Sequence, residues 1–284
     1  MAKNLMKNGF QVVAYDVNSE TTKKLQSEGA RFASSPQDVA EQARKIISMV
    51  PASAHVKEVY CGTSGVLKAV QEGDLYIDAS TIDPHVAKEV SAIVATHGAA
   101  MLDTPVSGGV TGAANGTLTF MVGGSEDTLE KARPLLEAMG KKITYCGANG
   151  SGQIVKLCNN LALAIEMIGI SEAMNLGTKL GADPKLLAEV FNCSTARCWS
   201  SDSYNPVPGV MEGVPSSKNY EGGFGVDLIS KDLSLALTAA QTVKAPIPLG
   251  STALQIYNLI STHGHGGKDF GIPFAFFGNK APKE

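Results

Sequence analysis

Residues 1–18, MAKNLMKNGFQVVAYDVN, decide the fold. The first nine read as an amphipathic helix, with Leu5 and Met6 inward, Lys3 and Lys7 outward, and Gly9 as the stop. QVVAYDV (11–17) then reads as a buried strand ending at the acidic Asp16. A helix followed by a strand ending in Asp is the second half of a dinucleotide-binding unit, whose first half is a strand and a glycine-rich turn. That first half is expected upstream of Met1. Without it, two strand edges are expected to stand unpaired in the middle of a sheet.

The alternation continues. KIISMVP (45–51), DLYIDAS (74–80), AAMLDTPV (99–106), TLTFMVG (117–123) and KITYCG (142–147) read as strands, with RFAS (31–34) a weaker one. Helical stretches fall between them, several opened by a Ser or Asp cap and a Pro, as in SSPQDVAE and TIDPHVAKE. This order predicts an α/β fold, a Rossmann-like, mostly parallel, doubly wound sheet with its first strand missing. After GANGSGQ (147–153) the strand signal stops and long helical periods take over. The expected division is therefore a dinucleotide-binding domain over 1–150 and an all-helical substrate and oligomerisation domain over 151–284. CWSSDSYNPVPGVMEGVPSSKNYEGGFG (198–225) reads as an ordered loop in the second domain.

Composition narrows the function. The chain has 284 residues, 44% hydrophobic and 18% charged, enough to bury a sizeable core. Its net charge of −3 gives no reason to expect nucleic acid or an anionic membrane as partner. The apolar run from Leu157 to Met174 carries Glu166 and Glu172 and reads as a buried helix rather than a membrane span. Five cysteines without a CxxC pair suit free thiols in a reducing compartment.

Candidate chemistry clusters at the carboxyl ends of strands, where open α/β sheets bind ligands. Asp16 is placed to accept from ribose hydroxyls and to repel a 2′-phosphate, which favours NAD over NADP. Val50 and Pro51, with Thr81, are placed to line the cofactor. In DTPVSGGVTGAANGTLTFMVGG (103–124), Ser107, Gly108 and Gly109 follow a strand in a glycine-dense turn whose backbone N–H groups suit a small carboxylate. GQIVKLCNN (152–160) opens the long helix with Lys156 and Asn160 on one face. A partly desolvated lysine near a helix N-terminus has its pKa pushed down, as an acid/base at neutral pH requires. Lys231 and Asp232 repeat a charged pattern that reads, by itself, as a solvated helix face. His263 and His265 lie among glycines with no third ligand in view, which reads as a flexible loop and no metal site.

These blocks, with DLISKDL (227–233), resemble the β-hydroxyacid dehydrogenase family nearly end to end, and the run around 197–225 resembles its hydroxyisobutyrate branch. The resemblance implies NAD-dependent oxidation of 3-hydroxyisobutyrate to methylmalonate semialdehyde in valine breakdown, in mitochondria. It implies Lys156 as acid/base with Asn160 assisting, and Ser107, Gly108 and Gly109 on the substrate carboxylate. Asp16, Val50, Pro51, Thr81 and Lys231 would lie with the cofactor, and the helical domain would pack into a homo-oligomer. Two departures stand out: the glycine-rich turn expected before MAKNL, and the tail GIPFAFFGNKAPKE (271–284), which leaves the expected helical ending. The rival readings are a sister reductase acting on tartronate or succinic semialdehyde, and a non-catalytic scaffold of the same family.

Overall fold

The computed structural model of the protein describes residues 1–278. The last six residues of the atypical tail lie outside the described residues. Contacts divide the chain into two compact units, Met1–Lys156 and a second beginning at Leu157.

The first unit alternates strands and helices in the order α1 (Ala2–Lys7), β1 (Val13–Ala14), α2 (Ser19–Ser27), β2 (Arg31–Phe32), α3 (Pro36–Gln42), β3 (Lys45–Ser48), α4 (Ser53–Cys61), β4 (Leu75–Asp78), α5 (Pro84–Thr96), β5 (Ala100–Asp103), β6 (Val106–Ser107), α6 (Gly109–Asn115), β7 (Leu118–Gly123), α7 (Glu126–Glu137) and β8 (Gly140–Gly147). Next comes α8 (Ser151–Lys179), which opens the helical half with α9 (Pro184–Cys193), α10 (Trp199–Asp202), α11 (Val226–Val243), α12 (Pro248–Ile260) and α13 (Pro273–Phe277). The architecture is a Rossmann-like sheet domain followed by a helical domain.

The helices start where their caps dictate. Asp83 accepts the His85 N–H at 2.7 Å and Pro84 occupies the first turn of α5, whose Ala87, Val90 and Val94 then bury one face. Asp183 caps α9 in the same way, through the N–H groups of Lys185 and Leu186. β4 has all four residues buried because it lies between β3 and β5. Its Leu75 and Ile77 pack with Leu102, Phe120, Val122 and Leu136 into one core, each such side chain contributing about 1.5–3 kcal/mol.

The sheet is mostly parallel, as expected: β3, β4 and β5 run parallel, as do β7 and β8, while β7 pairs antiparallel with β5 and β6. Three expectations are corrected. The expected strand 11–17 shrinks to Val13–Ala14, half-buried and paired with β2 alone, because its far edge has no partner among the described residues. These two strands therefore form a sheet separate from the six-stranded one. The glycine turn after Ser107 contains a short helix, α6, entered at Gly108 (φ 129°) and left at Gly116 (φ 68°). Both glycines take positive-φ backbone that a side chain disfavours, and they mark where the helix begins and ends.

In the second unit, α8 contributes Ala164, Met167 and Ile168 to a core shared with Ile229 and Leu233 of α11 and Tyr257 of α12. The third correction concerns His263 and His265: the segment Ser261–His265 continues from α12 into a turn kinked at Gly264 (φ 85°), which folds His265 inward to 8% exposure. The 198–225 segment is pinned by Asp269, 1% exposed, whose Oδ2 accepts from Tyr204 Oη at 2.8 Å and the Phe224 N–H at 2.9 Å. All five cysteines are free thiols.

Candidate active site

Ser48, Asp78 and Asp103 stand side by side at the carboxyl ends of β3, β4 and β5, because the register pairs Ser48 with Asp78 and Asp78 with Asp103. Asp78 is fully buried, and its Oδ1 accepts from the hydroxyls of Ser48 at 2.8 Å and Ser80 at 2.6 Å. Ser80 Oγ in turn accepts the Val50 N–H at 2.9 Å. One buried carboxylate thus ties together the Val50–Pro51 and Ser80–Thr81 strand ends. Burial pushes the Asp78 carboxyl up to about 6, while the Ser80 and Ser48 hydrogen bonds pull the other way. Burial also raises Asp103, against four opposing backbone N–H groups.

The start of α8 sits on this framework. Asp103 Oδ1 accepts the Gly150 N–H at 2.6 Å and Oδ2 the Gln153 N–H at 3.2 Å, so a carboxylate caps the positive end of the helix. A Cβ on Gly152 would run into the carbonyls of Met121 and Asp103, so only glycine lets the helix approach the strands this closely. Lys156, one turn further along, is 6% exposed.

Ser107 is half-buried on β6, opposite Thr119 of β7, and Gly108 and Gly109 are exposed with positive φ. Asp16 is exposed beyond β1, its Oδ1 accepting the Asn18 N–H at 2.8 Å, which holds the carboxylate at the turn.

In the second unit Asn160 is 1% exposed and donates from Nδ2 to Asp232 Oδ2 at 2.5 Å. Lys231 Nζ lies 3.0 Å from the other oxygen of Asp232. Asp232 is 3% exposed, so the solvated-face expectation for this pair fails at Asp232. Its position explains the difference: it is three residues after Ile229 and four before Ala236, on the face of α11 that packs inward.

The structure therefore joins Val50, Ser80 and Thr81 at one edge, and Asn160 with Lys231 through Asp232. Sequence reasoning missed Asp78 and Gln153 and misjudged Asp232. A carboxylate inside the apolar run LYIDAS was the available signal for Asp78, since such groups are seldom fully buried without work to do.

The residues present suit NAD. A carboxylate, Asp16, stands two residues past β1, and exposed Tyr15, Val17 and Met49 offer apolar surface just beyond the carboxyl ends of β1 and β3 for a planar ring. Among the described residues no group of three His, Cys, Asp or Glu is placed to hold a metal. Fold and site together define an NAD-dependent oxidoreductase of the hydroxyacid dehydrogenase class.

Comparison with known proteins narrows the class. Residues 1–147 match the NAD binding domain of 6-phosphogluconate dehydrogenase, and residues 150–273 match the NAD-binding domain of NADP-dependent 3-hydroxyisobutyrate dehydrogenase. The chain is 54% identical over 282 residues to the mitochondrial 3-hydroxyisobutyrate dehydrogenase of Mus musculus, covering 99% of this chain and 84% of that protein. It is 46% identical over 272 residues to the NAD-dependent L-serine dehydrogenase of Pseudomonas aeruginosa, covering 96% of this chain and 91% of the relative. The Mycobacterium tuberculosis 3-hydroxyisobutyrate dehydrogenase, solved with L-serine, superposes with a TM-score of 0.91 at 39% identity, covering 97% of this chain and 94% of that one. The chain belongs to the 3-hydroxyisobutyrate dehydrogenase family.

Proposed function

We propose that the protein oxidises 3-hydroxyisobutyrate to methylmalonate semialdehyde with NAD, as a step of valine catabolism in the mitochondrial matrix. The observation that carries this reading is Lys156, an almost fully buried lysine four residues before Asn160 on one helical face. Neutral Lys156 takes the proton of the substrate hydroxyl, and Asn160, fixed by Asp232, orients that hydroxyl. Ser107 and the N–H groups of Gly108 and Gly109 hold the carboxylate, so that the reacting carbon is positioned before the chemistry begins. Asp16, Val50, Pro51, Thr81 and Lys231 hold NAD, which when bound supplies the hydride acceptor. Residues 1–150 form the cofactor domain and 151–284 the substrate and oligomerisation domain. Exposed Leu176 on α8 and Leu180 in the turn just after it, with Leu186 and Val190 on α9, support a homo-oligomer.

Lys156→Ala is expected to lower turnover by on the order of 10²–10⁴-fold while NAD binding, measured by calorimetry, is retained. Equal loss of both would sink the acid/base role. L-serine is the second reading, favoured by the Pseudomonas relative and by the serine-bound Mycobacterium structure. Both substrates are 3-hydroxy carboxylates, so comparing their kcat/KM decides between them.

A further inference from the structure

The geometry points to Gln153 as a positioning residue that locks the Thr81 turn to the helix start carrying Lys156. Gln153 is fully buried in the first turn of α8. Its Nε2 donates to the Ser80 carbonyl at 2.8 Å, and its Oε1 accepts the Ile82 N–H at 3.0 Å. Both ends of one amide are therefore used on the two residues flanking Thr81. The Gln153 backbone N–H donates to Asp103 at 3.2 Å, so the same residue is anchored to β5 as well.

The other side of Ser80 is held just as firmly, through Asp78 and the Val50 N–H. Thr81 thus sits on a peptide segment held on one side to the β4 end and on the other to the start of α8. Lys156 follows Gln153 by three residues, within the same turn. Shifting the amide moves the groups proposed for cofactor and for proton transfer together, and a misplacement of about 1 Å costs roughly 100-fold in rate. No other side-chain type does this work: it takes a donor and an acceptor at one tip, at glutamine's reach.

This role rests on the reading of Lys156 and Thr81 given above. The test uses the full chain with Gln153→Met, which keeps the shape and removes both hydrogen bonds, and Gln153→Glu, which keeps the Ile82 acceptor and removes the donor to Ser80. In Gln153→Met, kcat is expected to fall ten- to hundredfold and KM for NAD to rise several-fold. The primary isotope effect on kcat, with substrate deuterated at the carbinol carbon, is expected to increase. Hydrogen exchange at the Ile82 amide of the cofactor-free protein is expected to accelerate in Gln153→Met and not in Gln153→Glu. A lower melting temperature with wild-type kcat and isotope effect would mean that the amide only stabilises the fold, and the inference would be wrong. Should Gln153→Met not fold, Gln153→Glu decides by the same kinetic readouts. Turnover surviving in Lys156→Ala removes the underlying reading instead; an inactive Lys156→Ala beside a wild-type-like Gln153→Glu removes this inference alone.

Discussion

The side-chain amide of Asn160 donates to the carboxylate of Asp232 across 2.5 Å, between two residues that are 1% and 3% exposed. A charge-assisted hydrogen bond of this kind, away from water, fixes which way the amide faces. The second oxygen of Asp232 meets Lys231 at 3.0 Å. One buried carboxylate thus joins a residue proposed for the substrate to one proposed for the cofactor.

Asp232→Ala removes the acceptor of Asn160 and the counter-charge of Lys231. Stability is expected to drop by about 1–3 kcal/mol, the range for a buried partner left unsatisfied. Turnover is expected to fall at least tenfold, with Asp232→Asn intermediate because its carbonyl still accepts from Asn160. Denaturant titration and steady-state kinetics on the two variants check this, and wild-type kcat in Asp232→Ala would contradict it.

Asp78 makes stability depend on pH in a defined direction. Its folded pKa of about 6 lies above the unfolded carboxylate value near 3.9, so the native state holds the proton more tightly. Its contribution is fully present below about pH 4 and is lost as pH rises through about 6, a change on the order of 3 kcal/mol. Asp78→Asn cannot ionise and keeps an oxygen for Ser48 and Ser80. Relative to wild type it is expected to gain stability between pH 4 and 7.5, read from urea midpoints at several pH values. A difference that does not change with pH would count against a raised Asp78.

Asp16 is exposed at the turn after β1 and carries the charge expected to exclude a 2′-phosphate. Asp16→Ser is expected to raise KM for NAD and to narrow the preference over NADP by about tenfold or more, one to two kcal/mol of lost discrimination. The ratio of kcat/KM for the two cofactors measures it.

Gly223 lies at φ 69°, and a Cβ there would collide with the Asp269 carboxylate, the Tyr204 hydroxyl and Pro215. Gly223→Ala is expected to break the Tyr204–Asp269 bond and cost about 1–3 kcal/mol. Near-ultraviolet circular dichroism should change with it, because Trp199 stacks on Tyr204 at 4.6 Å between ring centroids. An unchanged spectrum and midpoint would show that the loop relaxes around the new methyl.

Much of the fold was legible because its signals are local. Asp83-Pro84 and Asp183-Pro184 announce helices at the residues where α5 and α9 begin, since a cap and a proline act on the next three N–H groups alone. Lys156 and Asn160 were legible for a similar reason, as residues four apart share a helical face whatever surrounds them. The sense of β7 was not legible, because a short antiparallel return and a parallel crossover use the same apolar residues. Nor was α6, whose VTGAAN carries no apolar period to mark it.

The sequence by itself therefore determined the class of fold, the order of its elements, the family resemblance, and which side chains are candidates for the chemistry. Only the tertiary structure decided how those candidates are held. Asp78 with Ser48 and Ser80, Gln153 with the Thr81 turn, and Asp232 with Asn160 are partners separated by as many as 73 residues. Such pairs arise from strand register and helix packing, where each buried polar group must find its partner in space, and nothing in the spacing of the chain reports which partner that is.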